Sequence, residues 1–407
     1  MAPLKVLIIG GGVAGPALAH WLSHIQANIT LIERSPSMRA SGQQVDLRGQ
    51  GVAMMKKMGI EEAVRAASVQ ESGTQLVDIH GRTKAFFPAV KSGKNRQNVK
   101  HLFNTTVESL TQDEFESNPN GKVHVRFQDG RQEDFDLVVG ADGTGSKTRK
   151  MMLGPDAPDP RHSKGGYIGF FSIPANPQDS DRFTMCFLPG PRVSRMIGTR
   201  KNCPELTQIY MIMRGKDKVL EAAHKSGSLA ELKKAWGDLY QGGGWECDRF
   251  MEALGQSPEA DDLYCTPFVE VQLPTGSWSK GRVVLIGDAA HSGTADGYGS
   301  TWGLVGAYIL AGEIATRLGK DELPMTAAVV EGADSYEEIF RPIATANHGG
   351  SEWFENISNP RSSFGIGVFY AFARVAAYFR LDQMAGFDGK TAKWQLPEYP
   401  ELEIEQH

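Results

Sequence analysis

Only four cysteines occur in the 407 residues, Cys186, Cys203, Cys247 and Cys265. No two of them stand at the spacing of a zinc knuckle or a redox pair. A disulfide frame and a metal centre are therefore not expected, and the thiols read as reduced and intracellular. Charge of one sign is scarce too. Lys and Arg number 43 against 48 Asp and Glu, a net charge of −5, which leaves no footprint for nucleic acid. There is no internal repeat, no low-complexity tract and no Ser-His-Asp or Cys-His signature of a covalent nucleophile. Long apolar runs are lacking as well, with one stretch to weigh: Phe364 to Phe379, FGIGVFYAFARVAAYF. It is too short to span a bilayer and holds Arg374, so an integral membrane span is not expected. It reads as a buried or surface-docked C-terminal helix; attachment to a membrane surface, or a lid over an apolar pocket, is the alternative. The first strand pattern starts at residue 4, leaving no room for a signal peptide, so a cytoplasmic location is expected.

Glycine is what the chain has in quantity, 46 residues, and three of them organise the rest. An apolar run from Leu4 to Ile9 reads as a buried parallel strand. Gly10, Gly12 and Gly15 follow at G-x-G-x-x-G spacing. The first glycine suits a tight turn, the second lets backbone approach a pyrophosphate, and the third lets the next helix pack on the strand. That helix starts near Val13 and turns Leu18, Trp21 and Leu22 toward the sheet. A second strand, Ile29 to Ile32, ends on Glu33, where a carboxylate can accept a ribose hydroxyl; Arg34 stands beside it. Strand, glycines, helix, strand and acid together specify a dinucleotide fold, with phosphates on the helix N-terminus.

Further along, Asp136 to Ala141 is a second buried-strand pattern ending in Asp142-Gly143, and Ser146 stands at a helix N-cap position. From about Gly165 to Gln272 the pattern changes to alternating strands, among them Tyr167–Ile173, Phe183–Leu188 and Gln208–Met213, with helical stretches at Leu229–Leu239 and Cys247–Leu254. The first pattern resumes at Arg282 to Ile286 and ends in Gly287-Asp288-Ala289-Ala290-His291, with a long helix expected from about Thr301 to Leu318. At this length two domains are the default. The expected fold class is α/β: a Rossmann-type cofactor domain (1–160 and 276–345) interrupted by an α+β substrate domain (161–275), plus a C-terminal helical region (346–407). Such an interruption puts the chemistry in the crevice between the two.

Three separated stretches thus share one pattern, IIGGGVAG at 8–15, VVGADGTGSKTR at 138–149 and GRVVLIGDAAH at 281–291. Their combination resembles the single-component FAD-dependent aromatic hydroxylases, the group that includes para-hydroxybenzoate hydroxylase and the tetracycline-inactivating monooxygenases. The resemblance runs from residue 4 to about 345. It implies FAD as cofactor, NAD(P)H and O₂ as co-substrates, and an apolar aromatic or polyketide-like small molecule of secondary metabolism as the substrate to be hydroxylated or epoxidised. By the same resemblance Gly10, Gly12 and Gly15 hold the FAD pyrophosphate and Glu33, with Arg34, the adenosine. Asp142-Gly143 supports the nucleotide fold and NAD(P)H use, and Asp288 accepts a ribityl hydroxyl. The backbone from Gly297 to Ser300, Gly299 and Ser300 included, faces the flavin pyrimidine, where a helix N-terminus stabilises negative charge. Asp46 and Arg48, in GQQVDLRG, lie near the ring or the substrate, or else in a solvated loop.

Two departures stand out. Ala295 occupies a position that is usually Pro, and Gly297-Tyr298-Gly299 comes one residue early. A helix that in the family carries a flavin-contacting Arg is also missing, because SGKNRQ runs straight into NVKHLF; Arg96 is a candidate substitute that no sequence feature singles out. No general base is assigned. His291 is a candidate, but its ring suits packing equally well. Met185, Phe187, Tyr210 and Ile212 alternate on strands and could line a pocket or plain core. A flavin dehydrogenase or oxidase, and a cofactor-poor truncated homologue, are the alternative functions.

Overall fold

A computed structural model of the chain describes residues 3–37, 47, 49–67, 71–88, 101–114, 118, 120–190, 192–293, 297–319, 323–346, 359–380 and 394–403. Strands and helices are numbered in chain order within these residues.

The first apolar run forms β1 (Lys5–Ile9), buried on both faces as its Val, Leu and Ile content requires. Helix α1 (Ala14–His24) returns the chain to β2 (Asn28–Ile32), which pairs parallel to β1. After α2 (Gln50–Lys57) and α3 (Glu61–Ala67) come the paired strands β3 (Gly73–Val77) and β4 (Thr83–Pro88), then β5 (His101–Leu102) beside β2. Strands β6 (Val107–Gln112), β7 (Val123–Phe127) and β8 (Gln132–Phe135) form an antiparallel meander, with Asp129-Gly130 in the β7–β8 hairpin turn. Next are β9 (Leu137–Gly140) and α4 (Lys147–Leu153); Ser146 Oγ accepts from Arg149 N at 2.9 Å, the expected N-cap.

Four long antiparallel strands carry the middle of the chain: β10 (Arg161–Pro174), β11 (Phe183–Leu188), β12 (Ser194–Cys203) and β13 (Leu206–Arg214). Helices α5 (Lys218–Ser226), α6 (Leu229–Tyr240) and α7 (Cys247–Gln256) then cross to β14 (Tyr264–Val271). A short hairpin, β15 (Ser279–Lys280) and β16 (Val283–Leu285), leads through α8 (Asp288–His291) to α9 (Gly299–Leu318) and α10 (Met325–Ala344). The last described helix is α11 (Ser363–Tyr378).

Two large sheets result. The first has the order β15-β16-β9-β1-β2-β5, with β16, β9, β1, β2 and β5 all parallel. The second has the order β14-β10-β13-β12-β11-β3-β4. Its last two strands come from residues 73–88, ahead of the stretch where the sequence pattern changes. Their seam is the parallel pairing of β3 with β11, a long-range contact that a local pattern does not reveal. One face of this sheet packs Cys186, Leu188, Ile197, Met211 and Met213 against Trp236, Tyr240 and Phe250 of α6 and α7. The other face carries Phe170, Tyr210 and Phe268 toward its β14 end, and Leu76, Ala85, Met185 and Phe187 under α11 at the opposite end. Tyr370 pins α11 there, donating to Val77 O at 2.6 Å and accepting from Phe187 N at 3.0 Å.

The two sheets join through residues 273–278. Glu337 on α10, only 4 % exposed, accepts from Gly276 N and from Trp278 N at 2.7 Å and pairs with Arg341 at 2.6 Å. Arg341 in turn donates to Leu273 O at 2.8 Å and Pro274 O at 2.9 Å and lies 4.6 Å over the Trp278 ring. Removing one partner of a buried charge pair strands the other. Glu337→Ala therefore lowers unfolding stability by about 3 kcal/mol, read as a lower urea midpoint, and Glu337→Gln, which keeps an acceptor oxygen, loses less.

Candidate active site

All the motif turns leave the same edge of the first sheet. Gly10 follows β1, Glu33 follows β2, Asp142 follows β9 and Asp288 follows β16, and these four strands are mutually parallel. The carboxyl edge of such a sheet is where α/β folds bind ligands.

The turns also touch one another. Gly10 has φ +120°, and a Cβ there would stand 2.3 Å from Ala141 O; a Cβ on Gly15 would stand 2.0 Å from Gly10 O. Both positions therefore tolerate only glycine, the first also because of its backbone angle. A Cβ on Gly287 would come within 3.0 Å of Ala14 Cβ, which brings the third turn against the first helix. Gly12, Gly143 and Gly145 differ: a Cβ on any of them meets nothing within 4 Å. Their lack of a side chain serves no contact inside the protein and leaves open space over the turns. That space belongs to a cleft of about 430 Å³ lined by Gly10, Gly12, Glu33, Arg34, Asp142 and Lys147 among others.

Each acid has a defined local task. Glu33 Oε2 accepts from Gly11 N at 2.9 Å and Oε1 from Ser35 N at 2.8 Å, which orients the carboxylate along the glycine turn. Asp142 accepts from Ser146 Oγ at 2.5 Å, from Thr148 N at 3.0 Å and from Thr148 Oγ1 at 3.1 Å. Its carboxylate holds the start of α4, so what its turn offers the cleft is backbone at Gly143 and Gly145. Asp288 is exposed at the start of α8. Helix α9 begins at Gly299, two residues ahead of the sequence expectation. Gly299 and Ser300 are thus its first residues, with no side-chain cap on its N-terminus.

Arg149 was not singled out by the sequence. It is 2 % exposed and donates to Ala289 O at 2.8 Å and Thr144 O at 2.6 Å, lacing the second turn to the third; burial lowers the pKa of its guanidinium. Its place three residues past the cap Ser146 was the only available signal. Arg282, fully buried, donates to Asp113 O at 2.9 Å and Asn118 O at 3.0 Å, so this arginine braces the meander. His291 is buried with its ring 4.8 Å from Trp278 and 5.2 Å from Phe340, an aromatic packing position. Met185 and Phe187 pack under α11, whereas Tyr210, buried, and Ile212, half-buried, belong to a separate apolar cluster on the same sheet face. Arg214 lies 3.6 Å over Phe268 on that face. Asp46, Arg48, Arg96 and Ala295 fall outside the described residues.

Gly15→Ala forces backbone apart and costs about 3 kcal/mol of stability. Gly12→Ala leaves the stability of the FAD-free protein within about 0.5 kcal/mol and weakens FAD binding about tenfold or more. Arg149→Met strands two carbonyls and costs about 2 kcal/mol. Chemical unfolding of the FAD-free proteins, paired with FAD titration followed by flavin fluorescence, checks all three.

Comparison with known proteins bears on these turns. The sequence model of the pyridine nucleotide-disulphide oxidoreductase family matches residues 5–78, which hold β1, α1 and β2. None of the four cysteines lies within the matched residues; all four are free, and burial pushes the thiols of Cys186, Cys247 and Cys265 up to about 12. The flavin-dependent monooxygenase eupH from Phoma sp is 39 % identical over 98 % of both chains. The FAD-dependent monooxygenase asL4 from Sarocladium schorii is 34 % identical over 99 % of both. The crystal structure of the tetracycline destructase Tet(55) superposes with a TM-score of 0.75 at 27 % identity, covering 98 % of this chain and 99 % of that one. The Phoma alignment runs over 432 positions, more than the chain's 407 residues, so part of that relative has no counterpart here. Full-length identity above 30 %, together with three turns meeting at one strand edge, places the chain in the FAD-dependent monooxygenase family of the para-hydroxybenzoate hydroxylase type, enzymes that use FAD with NAD(P)H and O₂.

Proposed function

We propose that the chain hydroxylates or epoxidises an apolar aromatic or polyketide-like small molecule in secondary metabolism, in the cytoplasm. The observation that carries this reading is the open space over Gly12, Gly143 and Gly145 where the motif turns meet. In this reading Gly10, Gly12 and Gly15 frame the FAD pyrophosphate on the α1 N-terminus. Glu33 and Arg34 hold the adenosine ribose end. Asp142 acts through the α4 start that it orders, and Asp288 accepts a ribityl hydroxyl. Gly299 and Ser300 present the uncapped start of α9, whose dipole stabilises negative charge on the flavin pyrimidine.

When held there, FAD would supply the activation of O₂ at the expense of NAD(P)H, so that one oxygen atom of O₂ passes to the substrate and the other leaves as water. The chain's own part is to orient the substrate and exclude water. The apolar face where Phe170, Tyr210 and Phe268 are buried and Phe183 and Ile212 stay partly exposed suits an apolar ring system, with Arg214 stacked over Phe268 beside it. No side chain is needed as a covalent nucleophile. The chain divides, in this reading, into a cofactor unit (1–160 and 276–345, without β3 and β4) and a substrate unit (161–275, with β3 and β4). Residues 346–407 follow as a C-terminal region.

A second reading, a chain that keeps the fold but holds FAD weakly, is favoured by the length difference from the Phoma relative. We assign that difference to the stretch between residues 88 and 99, where the sequence lacks the expected helix. Absorption spectra before and after gel filtration separate the two. Retained flavin bands, substrate-stimulated NAD(P)H oxidation with O₂ uptake, and a product heavier by one oxygen support the first reading. Protein that leaves the column colourless yet regains flavin bands with added FAD supports the second. NAD(P)H oxidation that yields a dehydrogenated product and no oxygen incorporation refutes monooxygenation.

A further inference from the structure

Helix α11 is apolar on two opposite sides. Its inner side, with Ile366, Phe369, Tyr370, Ala373 and Ala377, packs on β4 and β11. Its outer side carries Phe364, Val368, Phe372, Val375 and Phe379 at spacings of four, four, three and four, with Tyr378 beside them. Those spacings make one continuous stripe along a helix about 24 Å long. The stripe faces solvent: Phe364 and Tyr378 are 82 % exposed, Phe372 66 % and Phe379 60 %. Exposed apolar surface of this extent marks an interaction site.

Charge selects the partner. In a chain of net charge −5, residues 359–380 contain three arginines, Arg361, Arg374 and Arg380, and no acid. Arg374 sits at the edge of the stripe, where its Nε donates to Lys84 O at 3.2 Å. Asp78, the acid of the adjoining strand pair, is nearly buried and is matched by both Lys84 at 2.7 Å and Arg82 at 2.8 Å. The rim of the stripe is therefore basic. A second copy docked on it would oppose arginine to arginine, whereas an anionic lipid surface satisfies both the stripe and the rim. No helix among the described residues is long and apolar enough to cross a membrane, which leaves attachment in the plane of the interface.

We propose that α11 docks the protein on an anionic membrane surface, with its outer stripe in the headgroup layer and its arginines on lipid phosphates. This surface stands independently of the substrate assignment. The test mixes the full-length protein with phosphatidylcholine vesicles made with and without phosphatidylglycerol and measures the fraction that co-floats. Wild-type protein is expected to float with the anionic vesicles and about tenfold or more weakly with the neutral ones. The pair Phe364→Ser/Phe372→Ser should lose flotation at an unchanged melting temperature, and Phe364→Leu/Phe372→Leu should retain it. Absence of flotation with both vesicles overturns the proposal, as does equal flotation with both, or retention by the serine pair. Self-association in gel filtration that the serine pair abolishes, without vesicle binding, overturns it in favour of a second copy.

Discussion

Backbone lies directly on backbone where Gly15 meets the Gly10 carbonyl and Gly10 meets Ala141, and everything else is arranged around that contact. No side chain fits there, so the first helix, the first strand and the second turn are held at one distance. Hydrogen bonds from Gly10 N to Ile32 O and from Ala141 N to Ile9 O, both 2.8 Å, fasten the same region from either side. Arg149 and the Gly287–Ala14 approach then bring the third turn onto the first two. The free space over Gly12 follows from these contacts, because a turn set this tightly cannot close over itself. The glycines of this turn thus divide, with close packing at positions 10 and 15 and open space at position 12.

The second sheet is placed relative to that cleft by α10. Buried Glu337 and half-buried Arg341 bind four backbone groups of residues 273–278, the link through which β14 returns to the first sheet. Val271 N donates to Ser292 O at 2.9 Å, so the end of β14 is tied to the residues just past α8. The apolar face of Phe170, Tyr210 and Phe268 is therefore anchored through β14 to the turn that carries Asp288. Two sheets that are interleaved in sequence are joined, through this link, into one frame.

Much of this was legible beforehand. The strand, turn and cap residues of the cofactor sheet are local signals, and β1, α1, β2, β9, α4 and β16 form where alternation, glycine and capping chemistry place them. Membership of residues 73–88 in the second sheet was not legible, because the parallel pairing of β3 with β11 spans more than a hundred residues. Arg149, Glu337 and Tyr370 were missed for a related reason. Each acts through backbone groups of a distant segment, and nothing in the neighbouring sequence distinguishes such a residue from an ordinary polar or aromatic one. The apolar stretch at 364–379 reads in sequence as a docked helix, and only one of its sides is docked while the other is bare.

Amide hydrogen exchange with and without saturating FAD tests the central claim most directly, since one cradle built from separated turns must respond as a unit. Residues 10–15, 141–149 and 287–300 are expected to gain protection together, while the β6–β8 meander stays unchanged. Protection confined to one of the three turns, or absent from all of them, would contradict a shared flavin site.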